Sequence, residues 1–477
     1  MPPLVIRTHS AGGDFGPLRA EFVLPESFGP DVLAEAEAAV LDPLASAGAR
    51  EDATDLPFVT IDPPGAKDLD QAMVIERTAG GFRVHYAIAD LAAFVPPGGA
   101  LDREARLRGQ TLYLPDGNVP LHPPVLSEGA ASLLPGEIRP AVLWTIETDE
   151  AGEPTATRVR RALVRSTEQF DYETVQAQLE AGNPHPSVAA LPELGKRRRE
   201  LAVRRGAVEL QLPEQEISGN ADSGWVLARR PRTAVDAWNA EISLLTGMAA
   251  ADLMLRGGVG LLRTMPAPKP EAVAKLRAAA ESLGVAWPGG ASVGAVVALV
   301  DPGTPRGAAF LDQAADLLRG AAYTAFDGPP PAVTGHGGVG APYAHVTAPL
   351  RRLADRYATE ACLALTDGRP VPPWVRDALP RLPKAMADTD RLAGAATRGA
   401  IDLAEAVLLQ HRVGDVFDAG VLDCDDPSAT RPPGGTVALD DPAVRARCQG
   451  ILPLGDRITA RLTVADPTTR KVLFERA

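Results

Sequence analysis

The residues best suited to chemistry in this sequence are three aspartates around a Pro-Pro-Gly turn, Asp62, Asp68 and Asp70. An apolar run ends at Asp62, and the chain returns as an extended segment, in which side chains two apart share a side. We therefore expect the three carboxylates to converge at a strand end. Magnesium prefers oxygen ligands and often combines carboxylates with a substrate phosphate, so the cluster suits metal-assisted phosphodiester cleavage. The alternative is a plain turn, because aspartates beside Pro-Gly are good turn formers.

A second segment, residues 343–352, has the character of an anion site. Pro349 at the first position of a helix, after Thr347, would place Arg351 in the opening turn, where backbone N–H groups and a guanidinium both favour a phosphate. The alternative is that Arg351 and Arg352 are solvated surface charges.

Three further features have two readings each. Tyr113 either packs in the core or stacks on a base. His345 lies in an apolar stretch, which is more typical of a hydrogen-bonded core histidine than of a catalytic base. The basic run 196–199 is either a solvated helix face or a contact to an RNA backbone.

Composition excludes several classes of protein. The chain has 477 residues, of which 45% are hydrophobic and 23% charged, which is ordinary for a globular protein of roughly two to four domains. No apolar run approaches the roughly 20 residues of a membrane helix, and the N-terminus lacks a secretory signal, so we expect a cytoplasmic protein. The three cysteines encode no disulfide framework or zinc site, so a metal would need oxygen ligands. A net charge of −13 argues against a basic exterior, although it permits a basic channel.

Hydrophobic periodicity then predicts the elements that must position these residues. Short apolar runs predict strands at 58–61, 73–75, 82–89, 141–147 and 158–164. Helical spacing is found at 30–46, 172–205, 234–256, 270–283, 308–326, 349–366 and 382–411. Short β-rich runs at 414–422, 435–439, 457–464 and 471–474 suggest a small barrel, most commonly an OB fold. The predicted fold class is α+β, with a mixed sheet surrounded by helices and a C-terminal all-β barrel.

Taken together and in this order, the segments resemble the ribonuclease II and R family, whose catalytic domain is called RNB. The motifs that carry the resemblance are the signature-like stretch at 55–70, Ile88-Ala89-Asp90, the segment starting at Tyr113, Ser127, Ser132, and residues 343–352 with Asp355. The resemblance predicts a short N-terminal helical appendage at 1–50, an RNB domain at 51–411 and an S1-type OB domain at 412–477.

The resemblance implies processive 3′ to 5′ hydrolysis of single-stranded RNA to nucleoside 5′-monophosphates by a monomer that uses Mg²⁺, with Mn²⁺ as an alternative. The site residues that it implies are metal ligands Asp62, Asp68 and Asp70 with Gln71 as a further candidate, catalytic residues Asp70 and Arg351, and RNA contacts Tyr113, Glu241, Arg351 and Arg352.

Three departures from the family pattern set limits on this reading. The family usually has a fourth aspartate where this chain has Gln71, whose carboxamide offers a neutral oxygen and a lower expected metal affinity. Thr397 stands where the family often has a catalytic glutamate. Residues 1–50 are too few for the two cold-shock barrels usual in the family, so we expect a less enclosed RNA entrance.

The sequence therefore supports two functions. The retained aspartates, Tyr113 and Arg351 favour a magnesium-dependent exoribonuclease. Gln71 and Thr397 favour the rival, a catalytically weak or silent RNA-binding protein of the same fold. A small-molecule metallohydrolase is disfavoured by the expected OB barrel.

Overall fold

Strands in the first third of the chain close into a barrel. In this computed structural model the described residues are 15–42, 49–210, 214–220, 224–230, 232–425, 432–439 and 444–477. The barrel strands are β1 (Glu51–Asp52), β2 (Phe58–Ile61), β3 (Gln71–Thr78), β4 (Gly81–Ala89), β5 (Ile138–Asp149) and β6 (Pro154–Phe170). The 17-residue β6 pairs with β5 along its first part and with β2 along its last part, which closes the ring from β2 to β6 and leaves β1 as an added parallel edge. The predicted mixed sheet is confirmed.

Side chains along these strands alternate between the two faces of the sheet and pack into two separate hydrophobic cores. Met73 and Ile75 of β3 pack in one hydrophobic cluster, whereas Ala72 and Val74 pack in another. This is the two-residue period of an extended chain with both faces buried. Consecutive residues at the start of β3 therefore point to opposite faces of the sheet.

Helices cover this barrel and connect it to the rest of the chain. Their bounds are α1 (Gly16–Glu21), α2 (Pro30–Leu41), α3 (Ala100–Arg108), α4 (Tyr172–Glu180), α5 (Leu191–Arg204), α6 (Ala234–Gly257), α7 (Pro270–Leu283), α8 (Val293–Val297), α9 (Pro305–Ala315), α10 (Leu353–Thr366), α11 (Pro373–Ala378) and α12 (Leu382–Leu409). The helix expected at 270–283 has the predicted bounds, and those at 234–256 and 382–411 agree to within two residues.

The prediction of one helix across 308–326 is wrong. The helix α9 ends at Ala315, and the chain continues through Gly320, at a φ of +87°, into a strand. The short strands between residues 214 and 342 are β7 (Glu214–Asn220), β8 (Gly224–Arg230), β9 (Val259–Thr264), β10 (Ala322–Asp327), β11 (Gly335–His336) and β12 (Ala341–Pro342). Antiparallel pairing of β10 with β9 outweighs the helical spacing of the sequence.

The C-terminal segment forms the expected barrel. Its strands are β13 (Val416–Cys424), β14 (Gly434–Leu439), β15 (Arg445–Gln449), β16 (Arg457–Asp466) and β17 (Lys471–Arg476), and they close in the order β13-β14-β15-β17-β16. The rings of Phe417 and Phe474 meet edge to face in its core. The sequence did not predict β15, in which polar residues alternate with Ala446 and Cys448.

The N-terminal helices and α12 pack against the rest of the protein. Glu35 of α2 accepts a hydrogen bond from the backbone N–H of Ala100 at 2.6 Å, so α2 is joined to the start of α3. At the other end of the chain, α12 contributes Ala396 to a cluster near the first barrel and Leu409 to the core of the second. Within the described ranges, no helix has the length and apolar character needed to span a bilayer. The prediction for residues 42–46 falls largely outside the described part of the chain.

Candidate active site

The loop that carries the first two aspartates is a tight turn. Asp62 still pairs with β6, because its backbone N–H donates to Phe170 O at 3.0 Å. Ala66 N then donates to Pro63 O at 3.1 Å, and Gly65 has a φ of +81°. This is a type II turn with proline and glycine at its two central positions. The turn formers identified in the sequence therefore do form a turn, and the turn presents the aspartates.

Ser132 fixes the return of this loop. Its hydroxyl donates to the Lys67 carbonyl at 2.6 Å and accepts from Leu69 N at 3.0 Å. Leu69 is fully buried, so the aspartates on either side of it are held at fixed positions. The sequence singled out Ser132 within a family motif but did not indicate this clamping role.

Asp70 joins the aspartate loop to the second predicted segment. Its Oδ1 accepts from Leu350 N at 2.8 Å, and its Oδ2 lies 3.3 Å from Arg351 Nε. The carboxylate is 2% exposed, whereas the Arg351 side chain is 42% exposed. Asp70 thus holds Arg351 from the buried side and leaves its outer edge toward solvent.

The segment around Arg351 is not the start of a helix. The predicted helix start at Pro349 is wrong, because α10 begins at Leu353 and residues 349–351 form a turn. Pairing with another loop holds this turn: Thr111 N donates to Arg351 O at 3.0 Å and Leu353 N to Gly109 O at 2.9 Å. Arg351 is therefore positioned by a loop pairing and by Asp70, rather than by a helix terminus.

Tyr113 lies at the same site, just after the loop residues 109–111 that pair with the Arg351 turn. Leu112 and Leu114 are buried in the cluster that includes Ala396, so the residue between them points the other way. The Tyr113 hydroxyl donates to Asp68 Oδ2 at 2.7 Å, while the side chain remains 46% exposed. The hydroxyl group of Tyr113 is held by Asp68, whereas its ring remains accessible to solvent. A base can stack on the exposed face of the ring.

Burial shifts the pKa values of Asp62 and Asp70. It raises the pKa of Asp62 to about 7, assisted by the negative charge of Asp68 and opposed by Arg351. It also raises the pKa of Asp70 to about 8, against the opposing effects of Arg351 and the Leu350 N–H. A cation close to these groups would lower both values, so the site favours positive charge.

The donor set fits a magnesium ion held by two carboxylates. Asp62 keeps a buried Oδ2 atom without a hydrogen-bond partner, and the charge of Asp68 acts on it. Across the described residues, no group of three or more His, Cys, Asp or Glu side chains is arranged to hold a metal. Both oxygens of Asp70 are engaged elsewhere. Magnesium commonly takes one or two carboxylates plus substrate phosphate, which matches Asp62 and Asp68.

Two of the three departures from the family pattern, Gln71 and Thr397, lie in different surroundings. Gln71 Oε1 accepts a hydrogen bond from the buried Tyr86 hydroxyl at 2.7 Å. Thr397 is exposed on α12, next to the buried Ala396. Gln71 is thus tied into the barrel, whereas Thr397 offers only a hydroxyl group where a carboxylate was expected.

Arg352 has a structural partner. Its guanidinium makes a two-point ion pair with Asp355, with distances of 2.9 and 2.7 Å. Asp355 also accepts from Ala348 N at 2.7 Å, so the pair braces the turn that carries Arg351. RNA contact by Arg352 stays a prediction, and its geometry gives it a bracing role.

Glu241 lies on α6 with contacts of its own. It is 3% exposed, and its Oε2 is 3.9 Å from Arg198 Nε. Burial raises the pKa of its carboxyl, and Arg198 opposes that shift. Glu241 lines a cavity of about 530 Å³ together with Arg205, Arg232 and Ser243. Ser243 is hydrogen-bonded to Thr347 at 2.9 Å, which links this cavity to the Arg351 turn.

The remaining candidates are structural. His345 is buried with its Nδ1 2.6 Å from the Tyr323 hydroxyl, and burial keeps its pKa well below the ordinary value, so it is a core histidine. In the basic run on α5, Arg198 is fully buried and donates to Gly152 O at 2.9 Å, and Arg197 pairs with Glu193 at 3.0 Å. Arg198 is therefore a buried structural residue, whereas the Arg197 side chain is 37% exposed in a surface ion pair.

Comparison with known families divides the chain in the same way as its two barrels. Residues 50–365 match the profile of the RNB domain, and residues 415–477 match that of the RNase II-type exonuclease C-terminal S1 domain. Ribonuclease R of Vibrio parahaemolyticus is 30% identical over 410 residues, which is 78% of this chain and 47% of that protein. The chain spans about half the length of the curated relatives that it matches.

Solved structures share the whole architecture. The apo form of Mycoplasma genitalium RNase R superposes with a TM-score of 0.84 at 19% identity, covering 97% of this chain and 78% of that one. Yeast Ssd1, described as a pseudonuclease, gives 0.69 at 18% identity, covering 88% and 52%. The same fold thus occurs in a protein named as a nuclease and in one named as a pseudonuclease, so the fold alone does not decide activity.

Proposed function

Since this chain belongs to the RNB-domain family of ribonuclease II-type exoribonucleases, we propose that it hydrolyses single-stranded RNA processively from the 3′ end and releases nucleoside 5′-monophosphates. The observation that carries the proposal is the contact of Asp70 with Arg351 beside the contact of Tyr113 with Asp68. These two contacts join the Arg351 guanidinium, the Tyr113 ring and the carboxylates of Asp68 and Asp70 at one loop junction, which supports the proposal.

Arg351 is the group that faces the scissile phosphate. In the part of the chain that the structure describes, its hydrogen-bonding partner is Asp70 through Nε, so the Nη atoms remain available to substrate. A guanidinium fork matches two phosphate oxygens. Its fixed position stabilises charge that develops on the phosphoryl group during cleavage.

Tyr113 and Asp68 act as a pair at the end of the RNA. The Tyr113 ring packs against the 3′-terminal base, and its hydroxyl keeps Asp68 in place. Asp62 and Asp68, with Gln71 nearby in the chain, would hold the divalent metal. When bound there, Mg²⁺ or Mn²⁺ would supply an activated water molecule and would neutralise phosphate charge.

The cavity beside Glu241 is the route that we assign to the RNA strand behind its terminus. Arg205 and Arg232 on its wall supply positive charge next to Glu209 and Glu241, within a chain of net charge −13. Glu241 would contact a sugar hydroxyl there.

We further propose that the C-terminal barrel holds the incoming strand and that the protein acts as a cytoplasmic monomer.

A silent RNA-binding protein is the second candidate. It is favoured by the engaged carbonyl of Gln71 and by the absence, across the described residues, of a three-carboxylate metal group. The two functions share the RNA-binding surface and differ only in turnover.

Incubation of the purified chain with 5′-labelled single-stranded RNA and magnesium separates them. The processive exoribonuclease releases mononucleotides and converts the full-length RNA to a short 5′-labelled end product, and EDTA abolishes the reaction. Arg351→Ala should remove product formation, whereas Asp367→Asn, a change at an exposed ion pair on the far end of α10, should leave it intact. RNA binding without any mononucleotide would establish the silent protein.

A further inference from the structure

Tyr113 lies in one arm of a small hairpin formed by residues 112–119. The N–H of Leu112 donates to Val119 O at 3.0 Å, and the N–H of Val119 donates to Leu112 O at 2.8 Å, so the base of the hairpin is paired. A single hairpin is marginally stable on its own in water. The position of the Tyr113 ring therefore depends on the contacts that hold this segment, which we call the Tyr113 hairpin.

Arg19 of α1 holds the tip of the Tyr113 hairpin. The tip is a turn, in which the N–H of Gly117 donates to Leu114 O at 3.1 Å. Arg19 Nε and Nη2 donate to the two carboxylate oxygens of Asp116 at 3.0 and 2.8 Å, and Nη2 also donates to Gly117 O at 2.5 Å. The Arg19 and Asp116 side chains are only 16% and 27% exposed. A two-point contact of this kind fixes orientation as well as distance.

The N-terminal segment, residues 15–24, packs against the face of the hairpin opposite Tyr113. Buried side chains from both segments share one hydrophobic cluster, namely Phe15, Leu18 and Leu24 from the N-terminal segment and Leu112, Leu114 and Val119 from the hairpin. Tyr113 stands between two of these leucines in the chain and points away from the cluster. The N-terminal segment thus supports the hairpin from behind and leaves the Tyr113 ring accessible.

The N-terminal segment has fixed neighbours of its own. Arg470 Nη2 lies 3.0 and 2.7 Å from the two carboxylate oxygens of Glu21, and Arg470 belongs to the turn between β16 and β17 of the C-terminal barrel. Leu18 shares its cluster with Ala396 and Ala400 of α12. Because the segment is attached to the barrel and to α12, it can hold the hairpin in place.

We propose that the N-terminal segment sets the position of the Tyr113 ring, and that Arg19 is the positioning residue through which it acts. The inference rests on the proposed function in so far as the ring receives the 3′-terminal base. A ring that is already held in place binds a base with less loss of conformational entropy than a mobile one. The segment that precedes the first barrel therefore contributes to RNA binding without touching RNA.

The first test measures amide hydrogen exchange of the full chain without RNA or metal. Arg19→Ala should speed exchange at residues 112–119 about fivefold, because the hairpin opens more often once a charge-assisted contact is lost. Exchange in β5 should not change. Arg376→Gln is the matched control, since it removes another two-point ion pair, with Asp327 at 2.9 and 2.9 Å, and should leave residues 112–119 unaffected.

The second test reports on the ring itself. A short RNA carries 2-aminopurine as its 3′-terminal base, and the fluorescence of this base is quenched when it stacks on an aromatic ring. In EDTA, the wild type and Arg376→Gln should quench the fluorescence, and Tyr113→Ala should not. Arg19→Ala should quench less and bind this RNA roughly fivefold more weakly. Arg19→Lys should lie between, because an ammonium group does not reproduce the guanidinium fork.

Asp116→Ala removes the same contact from the side of the hairpin. It should reproduce most of the effect of Arg19→Ala in both tests, and the double variant should be no worse than Arg19→Ala, because the two residues act through one interaction. If Arg19→Ala does not fold, Asp116→Ala decides in its place.

Wild-type exchange and quenching in these variants would overturn the role of Arg19. Faster exchange with unchanged quenching would also overturn it, because the hairpin would then loosen without moving the ring. If the wild type itself does not quench, the ring does not receive the base and the inference fails.

Release of mononucleotides by the wild type with magnesium is scored separately. An inactive wild type with the expected quenching pattern refutes the exoribonuclease alone. An active wild type whose quenching does not depend on Arg19 refutes the positioning role alone.

Discussion

The Oδ2 atom of Asp70 lies 3.3 Å from the Nε atom of Arg351, although 281 positions separate the two residues in the chain. The other oxygen of Asp70 accepts the backbone N–H of Leu350. One buried carboxylate therefore joins the aspartate loop to the turn that carries Arg351. Its position brings the two segments together.

Asp70→Asn should abolish hydrolysis and leave RNA binding nearly unchanged. The amide is similar in size but cannot pair ionically with Arg351, while the Tyr113 ring and the cavity beside Glu241 remain. The rate of mononucleotide formation and the RNA affinity are measured on the same preparation, with Asp367→Asn as the matched control. Turnover near that of the wild type would contradict the assigned role of Asp70.

Arg351→Ala should slow the chemical step with only a modest loss of RNA affinity. Arginine contacts of this kind contribute roughly 10³ to 10⁵ in rate in other phosphoryl-transfer enzymes. Arg351→Lys should recover only part of the rate, because a point charge does not reproduce the guanidinium fork. Single-turnover assays give the rate directly, and equal rates for Arg351→Ala and the wild type would remove Arg351 from the mechanism.

Tyr113 allows ring and hydroxyl to be tested separately. Tyr113→Ala should weaken binding of the RNA 3′ end by about 1–3 kcal/mol, the range for one base stacked on an aromatic ring. Tyr113→Phe keeps the ring and removes the bond to Asp68, so it should preserve RNA affinity and raise the magnesium concentration needed for half-maximal rate. A parallel loss of RNA affinity in both variants would show that the ring does not stack.

The raised aspartate pKa values predict a specific pH dependence. Burial raises the pKa of Asp62 from 3.8 to about 7 in the folded chain, so ionisation of this group destabilises the metal-free protein as the pH rises from about 4 to 7. Asp62→Asn is neutral throughout, and its melting temperature in EDTA should increase relative to the wild type between pH 5 and pH 8. Magnesium should reduce that difference at pH 8. A difference that stays constant with pH would show that Asp62 ionises normally.

Local patterns in the sequence were sufficient for much of the architecture. The run that predicted β2 has the observed bounds, and the helix at 270–283 agrees to the residue. The Pro-Pro-Gly stretch predicted both the turn and the aspartates that it presents. These features depend on neighbours within a few positions, which a sequence displays directly.

Features that depend on distant partners were not visible. Pro349 is a good first residue for a helix, but pairing of residues 351–353 with residues 109–111 delays α10 to Leu353. The closure of the first barrel depends on β6 meeting both β5 and β2. The bonds from Ser132 to the aspartate loop and from Tyr86 to Gln71 span 63 and 15 positions, respectively, and no local pattern indicates them.

Helix α12 connects the candidate active site to the C-terminal barrel. Near one end, the Thr389 carbonyl accepts from Gln110 in the loop that leads to Tyr113, and at the other end Leu409 enters the core of the C-terminal barrel. The 20 positions between them correspond to about 30 Å of helix, or about nine nucleotides at a stacked rise of roughly 3.4 Å. Under the proposed function, an RNA shorter than about nine nucleotides is therefore not expected to reach the C-terminal barrel while its 3′ end is in the site. We expect digestion to change from processive to distributive near that length, and the length of α12 would set this limit.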